Sequence, residues 1–363
     1  DNFDSNAYRP VIKPDGNTFD YESGTYVPQY TSKLNANPDL KWEENKEYNI
    51  GLDWGIFNNK LTGTFEYYKR RTDGLLIKIN VDGDPGYVYP DLWINAGSFE
   101  SSGFEANIQY HPYTSKSFNW KTQLSFSTFT QKIIKLNEDW SNDNNKKGWL
   151  QGRGLVGGNN WSLYIQEGWE LGTFYMPEYA GLSQDGKFLF YTAAGGVTRD
   201  LANAERRVVG SANPDFELGW SNYFNIGNSF DFSFAFRGVF GGEVLNVTRL
   251  ILSNPSVLPN TNALREAISQ KAANVTSEPV INSKFLESGT FIRLENISLG
   301  YNFNVLKAGY NVRLAVTANN LFVITKYKGT DPEITYTGMD YGLDNFNVYP
   351  KTRSVMIGLT LTL

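Results

Sequence analysis

The side chains with most chemistry to offer lie in long polar stretches of the chain. Asp139, Asn142, Asp143, Asn144 and Asn145 form an oxygen-rich run. Closely spaced carboxylate and amide oxygens are calcium ligands, so Asp139 and Asp143 are the candidate metal-binding residues. The run lacks the fixed ligand spacing of an EF-hand, and a solvated loop is the preferred reading. Trp140, Trp149, Trp161 and Trp169 lie in or near the same stretch. Their indoles could stack on sugar rings as ligand-facing loop aromatics; girdle or loop-core packing is the plainer role. His111 is the sole histidine. That leaves little room for a histidine metal site or a catalytic triad, and its place beside a turn reads as structural. No catalytic or cofactor-binding residue is assigned. The Gly-rich stretch 152–158 lacks the Lys-Ser/Thr that must follow in a phosphate loop. Lys69-Arg70-Arg71 could meet phosphates of a lipid surface; a solvated collar is preferred.

Composition narrows the class. The chain has 363 residues, 15% aromatic, with no cysteine, so disulfides and thiol chemistry are excluded. A net charge of -5 argues against nucleic acid as a partner. No run of 18 apolar residues exists, so no transmembrane helix is expected, a statement silent on barrels. A mean hydropathy of -0.41 beside many aromatics fits a barrel with aromatic girdles, a polar lumen and long polar loops. It also fits a carbohydrate-binding β protein. The chain begins at Asp1, without Met or a signal peptide, and a mature or internal stretch of a longer protein is expected.

The elements that must position these residues are strands. In 353–363, Val355, Ile357, Leu359, Leu361 and Leu363 fall on one face, and Ser354, Gly358, Thr360 and Thr362 on the other. A period of two marks a strand, and the segment has the length of a tilted membrane-crossing one. From this stretch alone a soluble sandwich and a membrane barrel are both open. The same alternation recurs at 46–57, 61–72, 103–111, 118–131, 214–225, 290–303 and 309–322. It is clearest at 229–241, where Phe230, Phe232, Phe234 and Phe236 alternate with Asp231, Ser233, Ala235 and Arg237. A polar face must meet water, so this strand predicts rings in lipid and polar groups in an aqueous lumen.

Short turns alternate with long loops, the outer-membrane asymmetry. Residues 1–45 read as an extracellular loop leading into barrel strands over 46–363. Loops follow at 73–98, 132–213, 242–287 and 325–351. A hairpin is expected around 161–192 and a short helix over 261–273. Strand direction stays consistent only if 132–213 adds zero or two spanning strands. The fold class is therefore all-β, an antiparallel transmembrane barrel of which the chain supplies roughly nine or eleven strands; bacterial barrels close with even numbers. Completion by sequence outside this chain is expected.

Asn37-Pro38-Asp39-Leu40-Lys41-Trp42-Glu43 precedes Asn49-Ile50-Gly51-Leu52-Asp53-Trp54-Gly55 and Phe57-Asn58-Asn59-Lys60-Leu61-Thr62-Gly63. Glu167-Gly168-Trp169-Glu170-Leu171-Gly172-Thr173-Phe174-Tyr175 and Gly210-Ser211-Ala212-Asn213-Pro214-Asp215-Phe216 follow. Phe291-Ile292-Arg293-Leu294-Glu295-Asn296, Ala318-Asn319-Asn320-Leu321-Phe322, Tyr327-Lys328-Gly329-Thr330-Asp331-Pro332-Glu333 and Tyr349-Pro350-Lys351-Thr352-Arg353 complete the set. Over about 34–363 the chain resembles the C-terminal part of SusC-like TonB-dependent transporters of Bacteroidetes. Leu363 departs from the pattern, since members usually end in an aromatic residue, the end that the assembly machinery reads. The resemblance implies a barrel of about 22 strands with an N-terminal plug and a TonB box. It implies outer-membrane import of oligosaccharides or peptides, driven through TonB, with extracellular loops and a periplasmic C-terminus. It implies as partners the N-terminal plug and barrel portion, a SusD-like surface lipoprotein, TonB and outer-membrane lipid. An enzyme is not expected. Two alternatives stand beside this reading. A soluble β-sandwich adhesin or lectin would account for the strands. An outer-membrane hydrolase would need a Ser–His pair, for which only His111 could serve.

Overall fold

The computed structural model describes residues 12–32, 35–81, 91–137, 140, 144–150, 155–158, 160–259, 261–305, 310–334, 339–345 and 349–362. Nine long strands make one antiparallel sheet: β1 Glu44–Ile56, β2 Leu61–Asp73, β3 Gly97–Thr114, β4 Phe118–Ser127, β5 Pro214–Ile226, β6 Phe230–Gly241, β7 Phe291–Val305, β8 Tyr310–Thr325 and β9 Ser354–Thr362. Each strand pairs with its neighbours in sequence, so the sheet is an uninterrupted up-and-down meander. Among the described residues β1 and β9 pair on one side only. Of the two strand counts expected, nine is found among the described residues. The described residues of 132–213 add no spanning strand; Thr130–Leu136 instead extends the pairing along the upper half of β3.

The register puts apolar residues opposite apolar residues across the whole sheet. Trp220 faces Leu124 on one side and Phe236 on the other; Phe232 continues through Leu299, Val316 and Ile357. This face is exposed: Ile50, Ile357 and Leu359 keep 74%, 75% and 73% of their surface. No second sheet covers it among the described residues, which removes the sandwich reading. Rings run along it from strand to strand. Trp54, Phe65, Phe104, Phe126, Phe216 and Phe240, one per strand from β1 to β6, follow each other at centroid distances of 4.8–6.2 Å. Exposed apolar bands with aromatic girdles are the lipid-facing signature of outer-membrane sheets.

The lower ends close by tight turns. At Phe57–Lys60 three consecutive residues, Phe57, Asn58 and Asn59, adopt positive φ of 55°, 54° and 60°. Asparagine accepts this region more readily than other non-glycine residues. The turn 306–309 lies outside the described residues.

The upper connections differ from the loops expected. Leu76–Asn80 pairs with Asp91–Asn95. Tyr179–Leu182 pairs with Phe188–Tyr191, and Thr173–Pro177 with Arg206–Ser211, so the hairpin expected near 161–192 is two small sheets. Helix α1, Val247–Leu252, has Asn246 as its cap, its side chain accepting from the Arg249 amide at 2.8 Å. Helix α2, Arg265–Ala272, falls within the expected 261–273. Two apolar cores hold these connections together. One joins Phe174, Phe188, Leu245, Leu250 and Phe285; the other joins Ile94, Phe99, Ile133, Trp140 and Ile165. Even the stretch before β1, expected to be all loop, holds a hairpin, Ile12–Asp20 with Thr25–Ser32. Phe19 and Tyr26 meet there edge-on at 5.3 Å, a cross-strand aromatic pair.

Candidate functional site

The inner face of the sheet carries the polar half of each alternation. Along it, polar side chains satisfy one another. Arg313 donates to both oxygens of Asp231, at 3.2 and 2.6 Å, and Asn302 donates to Asp231. The Ser298 and Thr317 hydroxyls meet at 2.9 Å, and Asn296 donates to Asn319, which donates to Ser354. These bonds cross β6, β7, β8 and β9 and fix the register from inside, as the apolar rows fix it from outside.

At the upper end the same face becomes a charge network. Arg237 on β6 reaches Glu295 at 2.8 Å, Glu333 at 2.6 Å and Glu217 at 3.6 Å. Arg293 on β7 donates to Asp331 at 2.7 Å, with side chains only 3% and 5% exposed. Lys351 meets Glu333 at 2.7 Å, and its amide donates to Asp331. The β8–β9 connection is thereby fastened to the wall through Asp331-Pro332-Glu333. The Phe291 ring meets both guanidiniums, 5.2 Å from Arg237 and 5.4 Å from Arg293.

Beside this network lies a cavity of about 520 Å³. Phe129, Val239, Phe291 and Ile334 give it apolar walls, and Glu217, Arg237 and Glu333 a charged side. Glu243 stands at its edge and also lines an adjoining cleft of about 440 Å³ with Glu170 and Asp215. Gly241 and Gly242, at φ of 78° and 69°, turn the chain out of β6 and set Glu243 here. A side chain at Gly241 would strike the Asp215 carboxylate. Glu243 accepts from the Ser211 amide at 2.8 Å. Burial pushes its carboxyl above the usual carboxylate range; the Ser211 bond opposes this and repulsion from Asp215 adds to it.

The residues singled out in the sequence are spread elsewhere. Asp139 and Asp143 lie outside the described residues. Trp140 is buried in a loop core, bonds the Asn145 side chain and lies under Lys147. Trp161 is buried too, with Arg206 at 3.8 Å from its ring and Tyr175 stacked at 6.0 Å. Trp169 is partly exposed against Tyr164 and Tyr175, and Trp149 is exposed. None of the four lines the cavity. His111 bonds Gln109 on the inner face near the lower turn. The basic run is neutralised: Lys69 meets Glu100, Arg70 meets Glu47 and Arg71 meets Asp73. That is a paired collar. The rim residues Arg237, Arg293 and Glu333 stand inside motifs visible in sequence, but their convergence depends on a loop folding back across three strands.

The comparisons agree with this architecture. Residues 5–321 match the family described as TonB dependent receptor-like, beta-barrel. TonB-dependent receptor P3 of Formosa agariphila is 31% identical over 90% of this chain and 35% of its own length. TonB-dependent receptor SusC of Bacteroides thetaiotaomicron is 28% identical over 99% of this chain and 36% of its own. Among solved structures, the RagAB peptide importer in its closed-closed state superposes with a TM-score of 0.76 at 26% identity, covering 98% of this chain and 38% of that one. The RagAB peptide transporter gives 0.78 at 25% identity, with 98% and 38% covered. The chain thus spans about a third of the length of the curated relatives it matches. It belongs to the TonB-dependent receptor β-barrel family, it corresponds to the barrel part of a SusC-like transporter, and that family places it in the outer membrane.

Proposed function

We propose that this chain forms nine strands of the wall of an outer-membrane importer of a bulky nutrient, an oligosaccharide or a peptide. The observation that carries the reading is the sheet itself. It is apolar outside and polar inside across all nine strands, and unpaired along both outer edges among the described residues. An open edge in hydrocarbon leaves backbone N–H and C=O groups unsatisfied, at several kcal/mol each. Strand β1 therefore pairs with a preceding strand of an N-terminal portion, and β9 with the first strand of that portion. That portion supplies the plug in the lumen and the contact with TonB, through which proton-motive force reaches the barrel. The long connections face the cell exterior, the tight turns face the periplasm, and a SusD-like lipoprotein rests on the folded connections as a lid. Trp149 and Trp169 are the members of the tryptophan set left able to meet a passing ligand. Barrel architecture and the names of the relatives, one a peptide importer, support this reading; they leave the nutrient open between two classes.

Purification from outer membranes in mild detergent tests it. The expected result is recovery of this chain together with N-terminal barrel sequence and a lipoprotein, identified by mass. A 41.0 kDa species that runs alone as a closed, heat-modifiable barrel would overturn it, because these strands would then close on themselves.

A further inference from the structure

The inner-face cavity discriminates between the two nutrient classes. A sugar ring can lay its C–H face on an aromatic ring, but its rim of hydroxyls must find polar partners or stay unpaired against an aliphatic wall. Here the walls are Phe129, Val239, Phe291, Pro332 and Ile334, and the neutral polar side chains of the lining are three, Gln131, Asn213 and Tyr341. Its volume of about 520 Å³ lies within the range of ordinary small-molecule pockets, enough for part of a bulky nutrient.

Charge supplies the second constraint. In the adjoining network three cations, Arg237, Arg293 and Lys351, face four carboxylates, Glu217, Glu295, Asp331 and Glu333. Those carboxylates are all paired. Glu243 stands outside the network at the cavity edge, half-buried, with no Lys or Arg within 4.0 Å among the described residues. Its near charge is another carboxylate, Asp215. An ammonium would relieve that repulsion through a charge-assisted hydrogen bond, while the hydrocarbon beside it covers the apolar wall.

We infer that the cavity takes an apolar residue bearing an amine, the N-terminus or a lysine side chain of an imported peptide. The inference rests on the import reading above and names the nutrient class within it. Glu243 receives the ammonium at one end. Phe129, Val239 and Ile334 receive the aliphatic part, and the ion-paired Arg237 network holds the wall in place.

The test uses the intact transporter with its N-terminal portion and lid, purified in detergent and titrated by calorimetry. The probes are a short alternating Leu-Lys peptide, the same peptide with Glu in place of Lys, and maltoheptaose. The Leu-Lys peptide is expected to bind, the Glu analogue and the sugar not. Glu243→Gln should weaken peptide binding about tenfold or more. Val239→Trp, which fills the cavity from the wall, should abolish it; heat-modifiability on gels verifies that both variants are folded. Equal peptide binding by folded Glu243→Gln and Val239→Trp overturns the inference. TonB-dependent uptake of oligosaccharide with no peptide binding overturns it too, while import itself stands. Cells that take up neither class in a TonB-dependent way bring down both readings.

Discussion

The wall and the folded connections above it obey opposite rules. On the wall, Phe230, Ile357 and Leu359 turn outward and stay exposed; in the connections, Phe174, Leu245 and Leu250 are wholly enclosed. The wall is stabilised sideways, by hydrogen-bonded neighbours and rows of rings, and its apolar face is completed by lipid. The connections are stabilised as a small soluble domain is, by a core assembled from three separate loops. The border runs through the charge network, where Asp331 and Glu333 from a loop meet Arg293 and Arg237 from strands. One chain thus changes solvent within a few residues, and the Gly241–Gly242 elbow is one such place.

The largest expected effect comes from cutting the border. Asp331→Ala takes from buried Arg293 its closest partner, leaving Glu333 at 3.5 Å, and removing one member of a buried pair costs about 3–5 kcal/mol. Urea titration of the detergent-solubilised transporter should show the loss. A change below 1 kcal/mol would mean that the loops and wall are not coupled through this pair. Next comes the wall. Phe234→Arg puts charge into the lipid face and should cost about 2–4 kcal/mol if the residue sits near the bilayer midplane. The neighbouring Ser233→Arg, on the watery side, should cost far less. Equal costs would erase the distinction between the two faces.

A pH titration sharpens the comparison further. Because the Glu243 pKa is raised in the folded state, its neutral form stabilises the fold at low pH. That contribution is lost as pH rises through the raised pKa. Binding of an amine should run the other way, weakening as pH falls and Glu243 takes up a proton. The decline should begin at milder acidity than an ordinary carboxylate allows. The groups facing Glu243 are the Ser211 amide, Asp215 and Glu170, with Glu217, Arg237 and Glu333 across the cavity. A flat profile in Glu243→Gln, against a sloping one in the parent, would assign the titration to this residue. The smallest effect is expected at the collar. Arg70 and Glu47 are about half-exposed, so Glu47→Ala should cost roughly 0.2–1 kcal/mol, and less in high salt.

Sequence and structure agree where order is local. Eight of the nine strands stand within four residues of the segments read from alternation, because a period of two needs only neighbours to declare it; β3 begins six residues before its segment, where its pairing with β2 continues through Ser98–Ser102. The helix expected at 261–273 from composition and the spacing of Leu264, Ala267 and Ile268 is found as α2. What escaped was non-local. Helix α1 is too short for a periodic pattern and is held by a cap and a core. Trp140 and Trp161 take the loop-core packing that is the plainer role of such residues, but the groups that enclose them, Ile133, Ile165, Arg206 and Tyr175, could not be named from sequence. The cavity is hidden for the same reason. Arg237 marked the end of a strand and Glu333 part of a loop motif, and only folding of the β8–β9 connection onto the wall brings them within 2.6 Å.

The row of rings from Trp54 to Phe240 also measures an angle. From β1 to β6 it makes five strand-to-strand steps, and against the cross-strand register it moves up two residues, up two, down two, up two and then none, a net climb of four. Four residues are about 13 Å along a strand, and five strand spacings about 24 Å, so a level row requires strands leaning by about 30°. Rings that belong at one height in the bilayer therefore fix how far the whole wall leans. Trp54 becomes its depth mark: lipid-borne quenchers set at graded depths should report the inclination of the sheet without an image of it.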